Sequence, residues 1–273
     1  MLKAVKIAIA LLALAVADVA LNAAHAGPPP VEAPALVALK PGTFQYWAAG
    51  EFTLNGKPAD APQIAVQIRK PFAIMAHQVT MAEYRRCVDD KACPAVTDEA
   101  GATDLPAVMV SWRDAHAYAA WLSRKTGAYY RLPTDEEWTY AAAGKAPDEG
   151  PLDRAGDDPA TRILRRYERE ARLQPADPRP QPIGHFGTNE NGLSDIGGNV
   201  WEWTDSCFTR SSLDGSSPRV ITTNCGVRVV EGRHRTYVTD FIRDARGGGC
   251  AFGAPPSNLG FRLVREEGAG WFW

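Results

Sequence analysis

Residues Asn191–Trp203, NGLSDIGGNVWEW, constrain the fold more than any other stretch of this 273-residue chain. The adjacent glycines Gly197 and Gly198 permit a tight turn in which backbone carbonyls point inward. Asp195 precedes this turn and Glu202 follows it. Carboxylate and carbonyl oxygens are the ligands that calcium takes, so the pattern is compatible with a calcium site. It is also compatible with an ordinary surface turn ahead of a core strand, which spacing alone favours.

The end of the same stretch predicts a β-strand. Trp201 and Trp203 alternate with Glu202, which is the period of two that a strand shows. Large indole rings favour burial in a core. We therefore expect both tryptophans to face the core and the Glu202 carboxylate to face the neighbouring loop.

Five sequence blocks in this chain resemble the formylglycine-generating enzyme family, also called sulfatase-modifying factors. They are VTMAEYRRCV, PAVMVSWRDAHAYAAWL, YRLPTDEEWTYAAAG, GLSDIGGNVWEW and NLGFRLVR, which lie in this order between Val79 and Arg265. The resemblance as a whole covers Pro41 to Arg265. The resemblance implies an α+β protein with a variant C-type-lectin-like fold, few helices and short, irregular, loop-rich strands. It also sets the expected boundaries, with a family domain at 41–266 and a C-terminal tail at 267–273.

The resemblance assigns calcium ligands to this chain residue by residue. Members of the family bind calcium through positions that match the Asp195 and Glu202 side chains and the backbone carbonyls of Gly198 and Val200. The ligands of the family's first calcium site have no match in the segment 146–181. We therefore expect one calcium ion rather than two.

The first residues predict export. Lys3 and Lys6 precede an apolar run that is too short to span a bilayer, and small residues allow cleavage after Ala26. We expect a signal peptide at 1–26, a proline-rich linker at 27–40 and a periplasmic or secreted protein; a retained membrane anchor is the alternative. The formal net charge of −2 is too mild to favour nucleic acid or an anionic membrane as a partner.

Five cysteines in an exported chain favour disulfides. Cys87 and Cys93 lie six residues apart, and Cys207 and Cys225 bracket a polar loop. Both spacings recur in bacterial relatives of the family, so we expect these two pairs, although four cysteines allow three connectivities. Cys250 is then unpaired and is either a reactive thiol or a buried, inert one.

Capping boxes predict three helices. The cap pairs and helices are Thr80 and Glu83 for Met81–Asp89, Ser111 and Asp114 for Trp112–Thr126, and Thr134 and Glu137 for Asp135–Ala143. Strands are expected at Val66–Met75, Pro106–Val110 and Tyr129–Leu132. The charged run Ile163–Ala171 is most simply a solvated helix face, with a partner-docking helix as the alternative.

The expected catalytic groups of the family are missing. Its enzymes oxidise a sulfatase cysteine to formylglycine with copper held by two cysteines, five apart, after an RGGSW-like strand. Here the matching strand is Arg228–Tyr237, and no cysteine lies between Cys225 and Cys250. Copper is therefore not expected, since one imidazole does not replace two thiolates. Cys250 and His234 are the only candidates left for catalysis, which leaves open whether the chain is an enzyme.

Two function classes follow. The first is a calcium-stabilised, non-catalytic scaffold that serves a protein or peptide partner in the periplasm as an accessory or maturation factor. The second is an oxidoreductase of the same family that acts on a protein or peptide substrate, either by formylglycine-type cysteine oxidation with unrecognised ligands or by another metal-dependent oxidation. The sequence does not name the partner, the substrate or the oligomeric state.

Overall fold

A computed structural model describes residues 31–96, 101, 103–147, 149–150, 159–174, 177–247 and 255–266. The predicted signal peptide at 1–26, Cys250 and the tail at 267–273 lie outside these residues.

Four α-helices form within the described residues. They are α1 (Met81–Asp89), α2 (Trp112–Thr126), α3 (Asp135–Ala142) and α4 (Pro159–Leu173), with single 3-10 turns at Ala143–Lys145 and Ala245–Gly247. The first three begin with reciprocal capping-box hydrogen bonds, so the sequence-based prediction of their starts is confirmed. The charged run Ile163–Ala171 lies within α4.

The apolar face of α2 follows the predicted spacing. Ala115, Tyr118, Ala119 and Leu122 recur at intervals of three and four residues and are all buried. Gly127 ends the helix in the left-handed conformation, with φ 72°.

Twelve strands complete the described part of the chain, and all but β8 and β9 have six residues or fewer. They are β1 (Leu36–Leu39), β2 (Gly42–Trp47), β3 (Glu51–Leu54), β4 (Lys57–Ala59), β5 (Gln63–Ile68), β6 (Phe72–Met75), β7 (Tyr130–Arg131), β8 (Trp201–Ser212), β9 (Arg219–Glu231), β10 (Thr236–Thr239), β11 (Leu259–Gly260) and β12 (Val264–Arg265). One sheet has the order β1-β6-β12-β7, a second has the order β10-β9-β8-β3-β4 with β11 beside β8, and β2 pairs with β5. Most pairs are antiparallel, but β8 takes β3 and β11 as parallel neighbours.

Three predictions, one for the linker and two for strands, need correction. The predicted linker 27–40 contains β1, which pairs with β6, so the folded domain starts before residue 41. The strand predicted at Val66–Met75 is two strands, β5 and β6, because Pro71 lacks the N–H that would continue one ladder. Pro106–Val110 forms only a single bridge, between Pro106 and Thr80, and Met109 leaves the extended conformation with φ 59°.

Strand β8 runs through the core of the molecule. Trp201 and Trp203 are buried as predicted, and their indoles donate to the carbonyls of His234 at 3.1 Å and Val110 at 2.8 Å. These hydrogen bonds satisfy the one polar group of each ring, so two large side chains can be buried without an unpaired donor. They also tie β8 to the loop before β10 and to the segment that leads into α2.

Both predicted disulfides are present, Cys87–Cys93 and Cys207–Cys225. The first closes the turn after α1, and the second joins β8 to β9. None of the described helices has the length and apolar character that crossing a membrane would require.

Candidate functional site

The Glu202 carboxylate is fully buried and is surrounded by four hydrogen-bond donors. Arg262 donates from Nε to Oε2 at 2.6 Å and from Nη2 to Oε1 at 2.8 Å. Gln78 donates to Oε1 at 2.7 Å, and the Trp138 indole donates to Oε2 at 2.8 Å. The prediction that Glu202 faces a loop is therefore wrong. Both faces of β8 are covered here, so alternation along the strand does not separate core from solvent.

Asp195 organises the loop that precedes it. It lies in the left-handed region with φ 58°. Its carboxylate accepts the backbone N–H groups of Gly184 at 2.5 Å and Phe186 at 2.7 Å. Its own carbonyl accepts from the Gln78 side chain at 3.3 Å, so Gln78 bridges the Asp195 backbone and the Glu202 carboxylate.

The ligand set expected for calcium does not fit a cation in this arrangement. That set comprises Asp195, Gly198, Val200 and Glu202. The oxygens of Glu202 already accept two hydrogen bonds each, and the Gly198 carbonyl accepts from Arg233 Nε at 3.2 Å. A calcium ion would meet two guanidinium groups, which repel it. Within the described residues, no cluster of three or more His, Cys, Asp or Glu side chains is placed to hold a metal ion. Calcium binding stays a prediction of the family resemblance, and the arrangement of the donors argues against it.

We expect chelation of divalent cations to leave the melting temperature of the purified protein unchanged, because Arg262 already neutralises Glu202. The measurement is thermal unfolding with and without excess chelator, together with metal analysis of the purified protein. A fall in melting temperature that added calcium reverses would restore the calcium assignment.

A second buried ionic cluster was not predicted from the sequence. Arg235 lies between the ends of β9 and β10, and only 6% of its side chain is exposed. It donates to Glu231 Oε1 at 2.5 Å and to the Trp47 carbonyl at 2.7 Å, and it pairs with Asp135 Oδ2 at 3.3 Å. The Tyr46 hydroxyl donates to the same Asp135 oxygen. The only sequence signal for this cluster was the charged segment EGRHR, which lies between the apolar residues of β9 and those of β10.

The cluster holds two carboxyl groups and one guanidinium. Burial raises the pKa of Glu231 well above its ordinary value, Arg235 opposes that shift, and the neighbouring Asp135 adds to it. Asp135 Oδ1 and Glu231 Oε2 are buried and accept no hydrogen bond from the rest of the described protein. Because its pKa is raised, Glu231 can keep a proton and donate it to Asp135, with which it forms a side-chain hydrogen bond.

His234, the second catalytic candidate, is buried beside this cluster. Its ring packs edge-on against Trp201 with centroids 5.3 Å apart, and Nδ1 lies 3.2 Å from the Arg235 carbonyl. Burial lowers the pKa of His234, so the neutral ring is favoured. The structure does not bring His234 together with a described cysteine.

Glu231→Gln should stabilise the protein at neutral pH. Below pH 4.5, the ordinary pKa, Glu231 is protonated both folded and unfolded. At higher pH the unfolded chain releases this proton and the folded chain keeps it, so wild-type stability falls by up to about 1.4 kcal/mol per pH unit. Glutamine carries no such proton and can donate its amide to Asp135. Chemical unfolding of both proteins from pH 4 to 8 measures the difference.

Glu190→Gln is the matched control, because backbone N–H groups lower the pKa of Glu190. Its stabilising contribution is present above the ordinary pKa and is lost as the pH falls, so this variant should be less stable than wild type at neutral pH. If Glu231→Gln instead destabilised the protein at pH 7, the proton-sharing assignment would be incorrect.

Few capped helices, irregular strands and a buried Trp-Glu-Trp segment define a mixed α/β protein of the variant C-type-lectin-like class. The chain belongs to the sulfatase-modifying factor family, since the family model "Sulfatase-modifying factor enzyme 1-like domain" matches residues 22–267. The resemblance deduced from the sequence is thus confirmed.

Individual relatives include both active and inactive proteins. The chain is 33% identical over 170 residues to inactive C-alpha-formylglycine-generating enzyme 2 of Mus musculus, covering 60% of this chain and 50% of the relative. It is 30% identical over 184 residues to formylglycine-generating enzyme of Streptomyces coelicolor, covering 63% and 56%. The chain thus spans about half the length of the curated relatives that it matches.

A solved structure supports the fold. PvdO from Pseudomonas aeruginosa superposes with a TM-score of 0.54 at 24% identity, over 88% of this chain and 100% of PvdO. At this identity the likeness concerns the fold alone.

Proposed function

We propose that this protein is an exported, non-catalytic member of the sulfatase-modifying factor family that serves a periplasmic enzyme as an accessory or maturation factor. The proposal rests on the bonding of the cysteines. Four of the five are consumed in two disulfides, and the described residues after β9, from 232 to 247, contain no thiol. Two thiolates that converge on a soft metal are therefore missing where the family resemblance places them.

The segment that follows β9 supports the same conclusion. His234 and Arg235 are buried, and Arg235 is committed to Glu231, Asp135 and the Trp47 carbonyl. Moving Arg235 out of this cluster would leave buried carboxylates without their cation, which is costly, so Arg235 is fixed in place by the fold.

Helix α4 supports a partner-binding role. A shallow, open surface depression is lined by Arg165, Glu168, Arg169, Arg172 and Leu173. On the same helix Leu164 and Tyr167 are 59% and 48% exposed. A surface that is both basic and apolar suits an acidic protein segment that carries aliphatic or aromatic side chains.

The proposal predicts that the mature protein does not form formylglycine. In the test, the mature protein is incubated with copper(I), oxygen, a thiol reductant and a Cys-x-Pro-x-Arg peptide. The Streptomyces coelicolor enzyme is the positive control. We expect no aldehyde by mass spectrometry and less than stoichiometric copper on the protein. Aldehyde formation above the no-enzyme level would overturn the accessory role and favour the oxidoreductase alternative. Loss of that activity in Cys250→Ser would then assign Cys250 to catalysis.

A further inference from the structure

The two disulfides differ in their accessibility to an external thiol. Cys87 and Cys93 are 0% and 7% exposed. Cys225 is exposed on β9, and Cys207 is half-buried on β8. Because thiol–disulfide exchange requires a thiolate to reach one sulfur along the bond axis, the more exposed Cys207–Cys225 bond is the better candidate for exchange.

A guanidinium group lies beside the less exposed sulfur. Arg228 is paired with Cys207 in the β8–β9 register, and its Nη1 lies 3.4 Å from the Cys207 Sγ. The Asp205 carbonyl accepts from the same nitrogen at 2.8 Å, and the Trp112 ring lies 3.8 Å below the guanidinium carbon. Arginine stays protonated in proteins, so a fixed positive charge faces Cys207. Such a charge lowers the pKa of a thiol and stabilises its thiolate.

Other charged groups also face Arg228. Burial lowers the pKa of Arg228, whereas Asp205 and Asp240 raise it. Asp205 lies 3.2 Å from His116 on α2, and Asp240 accepts two hydrogen bonds from Arg113 at 3.1 and 3.3 Å. Both carboxylates therefore have a second partner. Arg228 Nη1 lies 3.5 Å from Asp205 Oδ1 and 3.4 Å from Cys207 Sγ, so Arg228 faces the sulfur while it also pairs with Asp205.

We propose that Cys207–Cys225 is a thiol–disulfide exchange site whose substrate is an external thiol, with Cys225 as the attacked residue and Cys207 as the leaving group. An external thiolate forms a bond to Cys225 Sγ, the Cys225–Cys207 bond breaks, and its electron pair leaves on Cys207 Sγ beside Arg228. A second thiolate then attacks the mixed disulfide and releases the external disulfide and the Cys225 thiolate. Two external thiols are oxidised and the protein disulfide is reduced, with protons exchanged with water. The inference does not depend on the proposed function.

The first experiment tests which disulfide and which sulfur react. The mature protein is titrated with glutathione, quenched with acid, alkylated and mapped by mass spectrometry. We expect the glutathione adduct on Cys225 and alkylation on Cys207, while Cys87–Cys93 stays oxidised at the same glutathione concentration. Dithiothreitol as the probe should give the fully reduced pair without a trapped adduct. Equal reduction of both disulfides, or an adduct mainly on Cys207, would refute the assignment.

The second experiment tests the role of Arg228. Arg228→Gln should slow exchange with glutathione by about 3- to 10-fold, because a leaving thiolate of higher pKa leaves more slowly. In the reduced variant, the pH profile of Cys207 alkylation should shift to higher pH. Arg228→Lys should recover part of both effects.

Arg210→Gln is the matched control on the same hairpin, because Arg210 pairs with exposed Glu51 at 2.7 Å. It should leave the exchange rate and the Cys207 profile unchanged. Since Arg228→Gln also removes contacts to Trp112 and Asp205, its melting temperature and its intact Cys87–Cys93 bond are checked first. If a folded Arg228→Gln protein exchanged as fast as wild type, Arg228 would have no part in the reaction and the proposal would fail.

Discussion

Arg262→Met should destabilise the protein by about 3–5 kcal/mol, because it leaves the fully buried Glu202 carboxylate without its cation. Only the neutral donors Gln78 and Trp138 would remain on that carboxylate. Glu202→Gln combined with Arg262→Met should recover part of the loss, since no isolated charge is then buried. Equilibrium unfolding in denaturant measures all three free energies.

The control for this prediction is Arg210→Met. Arg210 and Glu51 form an ion pair of similar length, 2.7 Å, but their side chains are 53% and 37% exposed. Solvent screens such a pair, so its loss should cost less than about 1 kcal/mol. If both variants lost the same free energy, burial would not be what makes the Arg262 pair important.

Gly197→Ala should also be strongly destabilising, by about 3 kcal/mol or more, for two reasons that add. Gly197 has φ 71°, a conformation that residues with a Cβ rarely adopt. A Cβ placed there would lie 2.5 Å from the Lys145 carbonyl oxygen, which is backbone and cannot rotate away.

Gly56 allows the cost of the backbone conformation to be measured separately from the cost of the close contact. Its φ is also 71°, but nothing lies within 4 Å of a Cβ placed there. Gly56→Ala should therefore cost only the conformational share, about 1–2 kcal/mol. The difference between the two variants gives the cost of the close approach to Lys145. Equal losses would show that the turn at Gly197 moves away to accommodate the methyl group.

The features that were predicted well from the sequence are those that depend on a short stretch of residues. A capping box is complete within four residues, so Thr80, Ser111 and Thr134 marked three helix starts without knowledge of the rest of the fold. The disulfides also close short segments. In contrast, β1 was missed because the prolines that precede it suggested a linker and its partner, β6, lies beyond four intervening strands.

The candidate sites depended on contacts that no local pattern contains. The acids flanking the Gly197–Gly198 turn suggested metal ligands, but the partner of Glu202 is Arg262, near the other end of the domain. Arg235 meets Glu231 on its own hairpin and Asp135 at the start of α3. Packing decides which of several carboxylates pairs with a buried arginine, and only the folded structure shows which pair forms.

The placement of β11 and β12 has a consequence for how the protein acquires its fold. β12 lies between β6 and β7, and β11 lies beside the start of β8, so both sheets need strands from the last part of the domain. Arg262, between these two strands, also neutralises Glu202 in the core. The chain must therefore be free to fold as far as Arg265 before the core can close, and contacts so distant in sequence make folding slow. Until then Trp201 and Trp203 stay exposed, which makes the unfolded chain prone to aggregate.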